Sequence, residues 1–328
     1  MAVARDADIP VMKQEAQKFI FEEAEVPRDY RWGFVPYVYQ MQLHRQVQWQ
    51  GPWQSYYLLQ PSRSLVMGEV HFALHDGVAR SPHRAPFGAF QFADSVSAEH
   101  RFHFIQWVTE KLSANEVKRT EIVCPPAFYE EAGQSVTATA LSNLGFALKE
   151  AALAAGLRVN RQPLSQRLSA WELRKLKQCN QRKLRFKKLE HAALADVYRF
   201  IAQCREERGQ TLSMTMDQVK QTVAAQPSAF LLFAVFDGQR MAAASLAVRV
   251  HPQVLYTFYY AHARSFDSVS PVVKLMDGIH RWSANNQVKW IDLGTSASAG
   301  KTNFPVLQFK LNLGAQIAHK LTFEKQWP

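Results

Sequence analysis

Two kinds of hydrophobic pattern alternate along this chain. Phe230–Phe236 is an unbroken apolar run, Asp237-Gly238 interrupts it, and the mostly apolar Met241–Val250 follows. Asp-Gly between two such runs predicts a hairpin, because these residues accept the backbone conformations of a tight turn. A third run, Leu255–Ala261 (LYTFYYA), is rich in β-formers. The period then changes. Val272, Met276, Ile279 and Ser283 recur at helical spacing behind Ser270 and Pro271, which predicts a helix with a serine N-cap and proline at its first position. A strand over Val288–Leu293 and a short helix ending at Leu313-Gly314 complete the series. Two helices precede it, about Leu194–Arg208 and Met216–Ala224, the second opened by Thr215 and Gln218 in capping-box spacing.

The first half repeats the order. SYYLLQPSRSLVMGEVHFAL (55–74) resembles AFLLFAVFDGQRMAAASLAVRV (229–250), with Leu58 against Leu232 and Met67 against Met241, both at an offset of 174. A helix capped by Ser97 carries Phe102, Ile105 and Leu112 on one stripe, a strand follows over Ile122–Cys124, and Gly145 answers Gly314 at an offset of 169. Offsets near 170 in three ordered blocks indicate duplication. No counterpart of the two leading helices is legible before Tyr56, so the first copy reads as diverged or truncated. The expected architecture is mixed α/β in two tandem domains, 1–165 and 166–328, each a central mixed sheet flanked by helices.

Composition narrows the class. The chain has 328 residues, enough for two cores, and 47% apolar content, which excludes a disordered chain. Cys124, Cys179 and Cys204 form no CxxC pair, so neither a disulfide framework nor a zinc knuckle is expected. The longest apolar run falls far short of the roughly 20 residues of a bilayer span. MAVARDADIP lacks the apolar core of a signal peptide. The expectation is a soluble, cytoplasmic protein without a transmembrane segment or metal site.

Charge is concentrated. Of 39 Lys+Arg against 28 Asp+Glu, eleven cations fall between Arg158 and Lys188 with one acid, Glu172, a net +10 in that stretch. Such a block favours a polyanion, and it also fits a solvated helix face.

The order β–α–α–β–β–β–α–β–α–β resembles the GNAT acyltransferase fold, and the second half resembles the Fem-type branch, in which two GNAT-like domains lie in tandem. The residues carrying the likeness are the aromatic strand Tyr256–Tyr260, Ser270-Pro271, Asp292-Leu293-Gly294, Phe309-Lys310 and Leu313-Gly314, with Ser81-Pro82, Phe87-Gly88, Pro125-Pro126 and Tyr129 in the first half. The basic segment Arg174–Lys188 is similar to the family's arginine-rich helix. Thr295-Ser296 departs from the family, which often has glycine there.

The resemblance implies transfer of an acyl or aminoacyl group to an amine by direct attack on the donor carbonyl, with no side-chain nucleophile. The alternatives are an acyl-CoA-dependent N-acetyltransferase of a small molecule and a non-catalytic module that holds an anionic partner. The donor is acyl-CoA or aminoacyl-tRNA. The connection HARSFDSVSPVV (262–273) has no glycine for a pyrophosphate cradle, which favours tRNA over coenzyme A. A small-molecule or lipid-linked acceptor is compatible with either. The catalytic candidates are Lys310, matched to the family's Phe-Lys lysine, and Tyr259. The substrate-binding candidates are Tyr256, Tyr260, Ser270, Asp292, Arg182 and Arg185. On a regular strand Tyr256 and Tyr260 share one face and Tyr259 takes the other. Asp292 suits either an acceptor amine or the capping of a turn.

Three motifs are set aside. GTSASAGKT (294–302) has five residues between its glycines, whereas a phosphate-wrapping loop has four. His100 and His103 share a helix face without a third ligand. Cys124 reads as a small buried residue.

Overall fold

The computed structural model of the chain describes residues 19–115, 117–298 and 300–328; the leading MAVARDADIP lies outside them. The first half supplies strands β1 (Ile20–Glu23), β2 (Arg31–Trp32), β3 (Trp53–Gln60), β4 (Leu65–His75), β5 (Val78–Ser81), β6 (Gln91–Phe92), β7 (Arg119–Val123) and β8 (Ala147–Arg158). The second supplies β9 (Arg185–Leu189), β10 (Phe230–Asp237), β11 (Arg240–His251), β12 (Val254–His262), β13 (Trp290–Thr295), the short pair β14 (Ala297–Ser298) and β15 (Lys301–Thr302), and β16 (Gln316–Gln326). The helices are α1 (Gln42–Gln48), α2 (Ala98–Ala114), α3 (Glu131–Asn143), α4 (Ala170–Gln181), α5 (Leu194–Glu206), α6 (Met216–Ala225), α7 (Pro271–Asn285) and α8 (Phe304–Asn312).

One mixed sheet runs through both halves in the order β1-β3-β4-β5-β7-β16-β8-β13-β12-β11-β10-β9, with β2 and β6 on β4. The last strand of each half lies within the other half's part of the sheet. β8 sets Leu157 opposite Ile291 of β13, and β16 sets Phe323 opposite Ile122 of β7. β8 and β16 then pair with each other. The halves are therefore joined by backbone hydrogen bonds as well as by side chains.

The duplicated pattern reappears as geometry. Gly238 takes a positive φ in the hairpin between β10 and β11, where Asp237-Gly238 predicts a turn. Gly145 and Gly314 follow α3 and α8 with φ of +81° and +83°, the left-handed stop that glycine adopts without a Cβ clash. Thr215 and Gln218 complete their capping box, and Ser97 accepts from the His100 N–H.

The core has three main parts. Leu176 of α4 and Val272, Met276 and Ile279 of α7 pack on one face of the second half. Phe104, Ile105 and Val108 of α2 pack against Tyr56 and Phe72 in the first. The third joins the halves: Val197, Ile201 and Val219 from α5 and α6 meet Tyr37, Tyr39 and Phe87.

Three expectations change. The basic segment Arg174–Lys188 is not one helix, because α4 ends at Gln181, Lys183 turns at positive φ, and Arg185 begins the edge strand β9. Ser270 stands at the N-cap of α7, but it is left-handed and its hydroxyl makes no capping bond. Among the described residues the first half has a single short helix, α1, before Tyr56.

Candidate active site

β12 and β13 are parallel and pair only over Val254–Tyr256 against Trp290–Asp292. Beyond Tyr256 and Asp292 they part, although β12 continues to His262 and β13 to Thr295. A bulge marks the place. Val248 of β11 faces Tyr256 and Leu246 faces Tyr259, so a two-residue step on β11 matches a three-residue step on β12. The extra residue reverses the alternation of side chains. Tyr256 and Tyr259 consequently share the face that joins the halves, whereas Tyr260 packs with Leu255 under α4 and α7. This corrects the pairing of Tyr256 with Tyr260 that regular alternation predicts.

Tyr259 is occupied. Its oxygen lies 2.6 Å from Ser213 Oγ and accepts from the Met214 N–H at 3.1 Å, which fastens the segment leading into α6. Tyr256 lies over Gly294, where a Cβ would come within 3.4 Å of its ring, and burial disfavours its ionisation.

Asp292 is buried at the parting point. Its Oδ1 accepts from the Gly294 N–H at 2.6 Å, and its Oδ2 accepts from the Tyr129 hydroxyl at 2.8 Å. The expected turn-capping contact is thus present, together with a partner from the first half. Burial raises the Asp292 carboxyl above its ordinary range, while these two bonds, Lys320 and Lys310 hold it down.

Lys310 on α8 is 1% exposed. Its ammonium donates to the carbonyl oxygens of Gly294 at 2.9 Å and Thr295 at 2.8 Å. Burial lowers its pKa to about 8, with Asp292 opposing the shift. This lysine clips the end of β13 that has separated from β12.

A cavity of about 560 Å³ opens where the halves meet. Tyr39, His44 and Arg84 line it from the first half, Tyr256 and Phe258 from β12, and Lys320 from the exchanged strand β16. Tyr39 is 4% exposed and its hydroxyl has no hydrogen-bond partner among the described residues. A buried orphan hydroxyl costs free energy unless a water or a ligand satisfies it. His44 is held neutral, its pKa lowered to about 4 by burial, and its Nδ1 accepts from Gln48 Nε2 at 3.0 Å. Lys320 is also destabilised as a cation by burial, partly compensated by Asp292.

The remaining candidates lie elsewhere. Register places Arg185 opposite Phe236, whereas Asp292 is level with Phe230 through Tyr256 and Val248. Four strand spacings and six residues along the strand separate Arg185 from Asp292 by roughly 28 Å. Arg182 pairs with Asp237 at 2.9 Å and lies over the Phe266 ring. Arg240 also covers Phe266 and donates to Ser265 Oγ at 2.7 Å, while Lys175 donates to the Ser268 carbonyl. Cations thus surround the turn that leads through Ser270 into α7.

Tyr39, His44, Arg84 and Lys320 escape a reading of the sequence because they belong to no motif, and Lys320 joins the other three only through the exchange of strands. Tyr129 is signalled, weakly, by the Pro125-Pro126 pair before it. Cys124 is buried, with its thiol pushed up to about 12, and so is unsuited to nucleophilic work. His100 contacts Ser97, and no cluster placed to hold a metal ion occurs among the described residues.

Comparison with known proteins supports the outline. Residues 170–304 match the acetyltransferase (GNAT) domain family. The fold is similar to that of FemX, with a TM-score of 0.67 at 11% identity over 88% of this chain and 92% of that one. A conserved protein of unknown function from Bacteroides thetaiotaomicron VPI-5482 gives 0.55 at 8% identity, over 86% of this chain and 88% of that one. L-PGS from Bacillus licheniformis gives 0.50 at 7% identity, over 78% and 80%. No curated protein matches the sequence. No helix among the described residues is long and apolar enough to cross a membrane.

Proposed function

We propose that this chain, whose residues 170–304 match the acetyltransferase (GNAT) domain family and whose fold is similar to that of FemX, is a transferase that moves an acyl or aminoacyl group onto an amine held between its halves. The observation that carries this reading is the parting of β12 from β13 at Tyr256 and Asp292, beside a cavity containing the orphan Tyr39 hydroxyl and the Lys320 ammonium.

The donor lies along the opening between the strands. Its phosphates rest at the turn before α7, where Lys175, Arg182 and Arg240 supply the positive charge that a glycine cradle supplies elsewhere. That role suits Arg182 better than contact with the reacting atoms, and Arg185 extends the same basic edge for a longer polyanion such as tRNA. The acceptor occupies the cavity against Tyr256. Lys320 and Arg84 bind an anionic group on it, a carboxylate or phosphate, and the Tyr39 hydroxyl completes a hydrogen bond.

The neutral amine attacks the donor carbonyl. A C–N bond forms, the carbonyl oxygen becomes an oxyanion, and collapse breaks the C–S bond of a thioester or the C–O bond of a tRNA ester. Asp292 receives the proton released by the nitrogen, and the leaving sulfur or oxygen takes a proton in turn. Backbone N–H groups at the bulge, unpaired by the extra residue, stabilise the oxyanion. Lys310 fixes the geometry from behind by holding the far end of β13. It serves as a positioning residue, with two of its three N–H groups engaged.

The test is a panel of acetyl-CoA and aminoacyl-tRNA against amines with and without a carboxylate or phosphate, with N-acylated products identified by mass. Transfer preferring anion-bearing amines is expected. Binding of neither donor at low salt would overturn the proposal. Steep salt dependence identifies tRNA, and weak salt dependence identifies coenzyme A.

A further inference from the structure

Beneath α1, on the face of the first-half sheet, lies a buried polar chain that no step of the transfer uses. Arg45 Nη1 donates to Ser55 Oγ at 3.0 Å. Ser55 Oγ lies 2.8 Å from His71 Nδ1, and His71 Nε2 lies 2.8 Å from Glu69 Oε2. Ser55, Glu69 and His71 are all buried. Arginine only donates, so Ser55 Oγ accepts from it and is free to give its own proton to His71 Nδ1. Glu69 Oε1 and Arg45 Nε lack hydrogen-bond partners among the described residues.

A chain of buried polar groups is costly unless it does something that apolar packing does not. Here it holds a short helix, α1, whose other neighbour is α6 across the inter-half core. α1 is seven residues long, and its N-cap, Met41, makes no side-chain bond. Helices this short do not persist unaided. Nor does an apolar stripe anchor it: in QLHRQVQ, Leu43 is 55% exposed, and the buried side chains are His44 and Gln48. Gln48 reaches the Tyr39 carbonyl at 2.9 Å and accepts from Arg84 Nε through its own carbonyl at 3.2 Å. His44, Val47 and Gln48 form one wall of the cavity between the halves. Polar anchors therefore hold α1 on both sides, the cavity network above and the Arg45 chain below.

We propose that Arg45, seated on Ser55, His71 and Glu69, is a positioning residue for the inter-half cavity: it fixes α1 and, through it, the wall that carries His44, Val47 and Gln48. Its effect on catalysis rests on the reading of the cavity as the acceptor site, whereas its effect on α1 does not. The conservative change Arg45→Lys keeps a cation of similar reach, and Arg45→Met keeps the apolar stem alone.

Hydrogen–deuterium exchange on the full chain separates the outcomes. Arg45→Met is expected to speed exchange of the amides in 42–49 at least tenfold, leave 53–60 and 65–75 protected, and shift the His44 ring resonances. Arg45→Lys should restore part of each. Should Arg45→Met fail to fold, Ser55→Ala, which removes only the oxygen on which Arg45 and His71 meet, is measured by the same criteria. Unchanged exchange in α1 overturns the proposal. So does equal loss of protection in β3 and β4, which would make Arg45 an ordinary support of the sheet. With an acceptor in hand, Arg45→Met should raise KM at least fivefold with kcat within twofold. Failure of this kinetic arm alone, with α1 loosened, counts against the cavity as the acceptor site and leaves the anchoring role intact.

Discussion

The hydroxyl of Tyr129, from the first half of the chain, donates a 2.8 Å hydrogen bond to Asp292 Oδ2 in the second. Asp292 is buried and Tyr129 half-buried, and neither half alone supplies this carboxylate with its second partner. Removing the hydroxyl in Tyr129→Phe leaves one carboxylate oxygen without it, at a cost of about 2 kcal/mol. The carboxyl pKa should rise in the variant, because a bond that favours the charged form is gone. Urea unfolding measures the first effect, and the acidic limb of the activity profile, moving to higher pH, measures the second.

Lys310 predicts a different signature. Lys310→Met should strand the carbonyl oxygens of Gly294 and Thr295 and lower stability by about 2–4 kcal/mol. Exchange should rise selectively at 294–297. Activity should fall with it, and the apparent pKa of Asp292 should rise, because one of the cations that hold its carboxyl down is gone. A folded variant with wild-type exchange at the end of β13 contradicts the clip.

The exchanged strand β16 makes a prediction about folding. A chain ending at Ala315 loses the partner of both β7 and β8. It should lose protection in the first half as well as the second, and its cooperative melting transition with them. Retention of a native-like melt by that truncated chain would show that the first half does not depend on β16.

Stability should depend on pH through four buried groups, Glu69, His44, His71 and Lys310. Burial raises Glu69 from the usual 4.5 to about 8, so between these values the folded state keeps a proton that the unfolded state has lost. Stability from this group is complete below 4.5 and declines as pH rises through 8. His44 and His71, held neutral by burial, act in the opposite sense below 6.5. Glu69 therefore dominates between 6.5 and 8, where its slope approaches about 1.4 kcal/mol per pH unit. Lys310 reverses the trend. Its pKa is lowered from 10.5 to about 8, so stability recovers as pH rises between those values. Glu69→Gln should flatten the decline, and Lys310→Met the recovery, in denaturant titrations at each pH.

Much of the architecture is legible in the pattern of residues, because hairpin turns, capping boxes and helix-ending glycines are local. Thr215 with Gln218 and Gly145 with Gly314 are read correctly for that reason. The site is less legible. Asp292 can be singled out at a strand end, but its bond to Tyr129 spans 163 positions. Tyr256 and Tyr260 are misassigned to one face because a bulge has no signature in LYTFYYA. Lys320 reaches the cavity only because β16 crosses into the other half, a topological event that leaves no periodicity behind. The basic stretch is conspicuous in sequence, yet it becomes a helix and an edge strand far from Asp292. Lysine and arginine on such an edge also discourage unwanted strand pairing.

The most direct measurement compares single-turnover transfer by the wild-type chain and by Asp292→Asn, with donor binding measured in parallel. Asp292→Asn keeps the shape and most hydrogen bonds but cannot take up the amine's proton. The rate should fall about 100-fold or more while the donor Kd stays within twofold. Wild-type transfer by a folded Asp292→Asn chain would contradict the assignment of the reacting centre to the junction of the two halves.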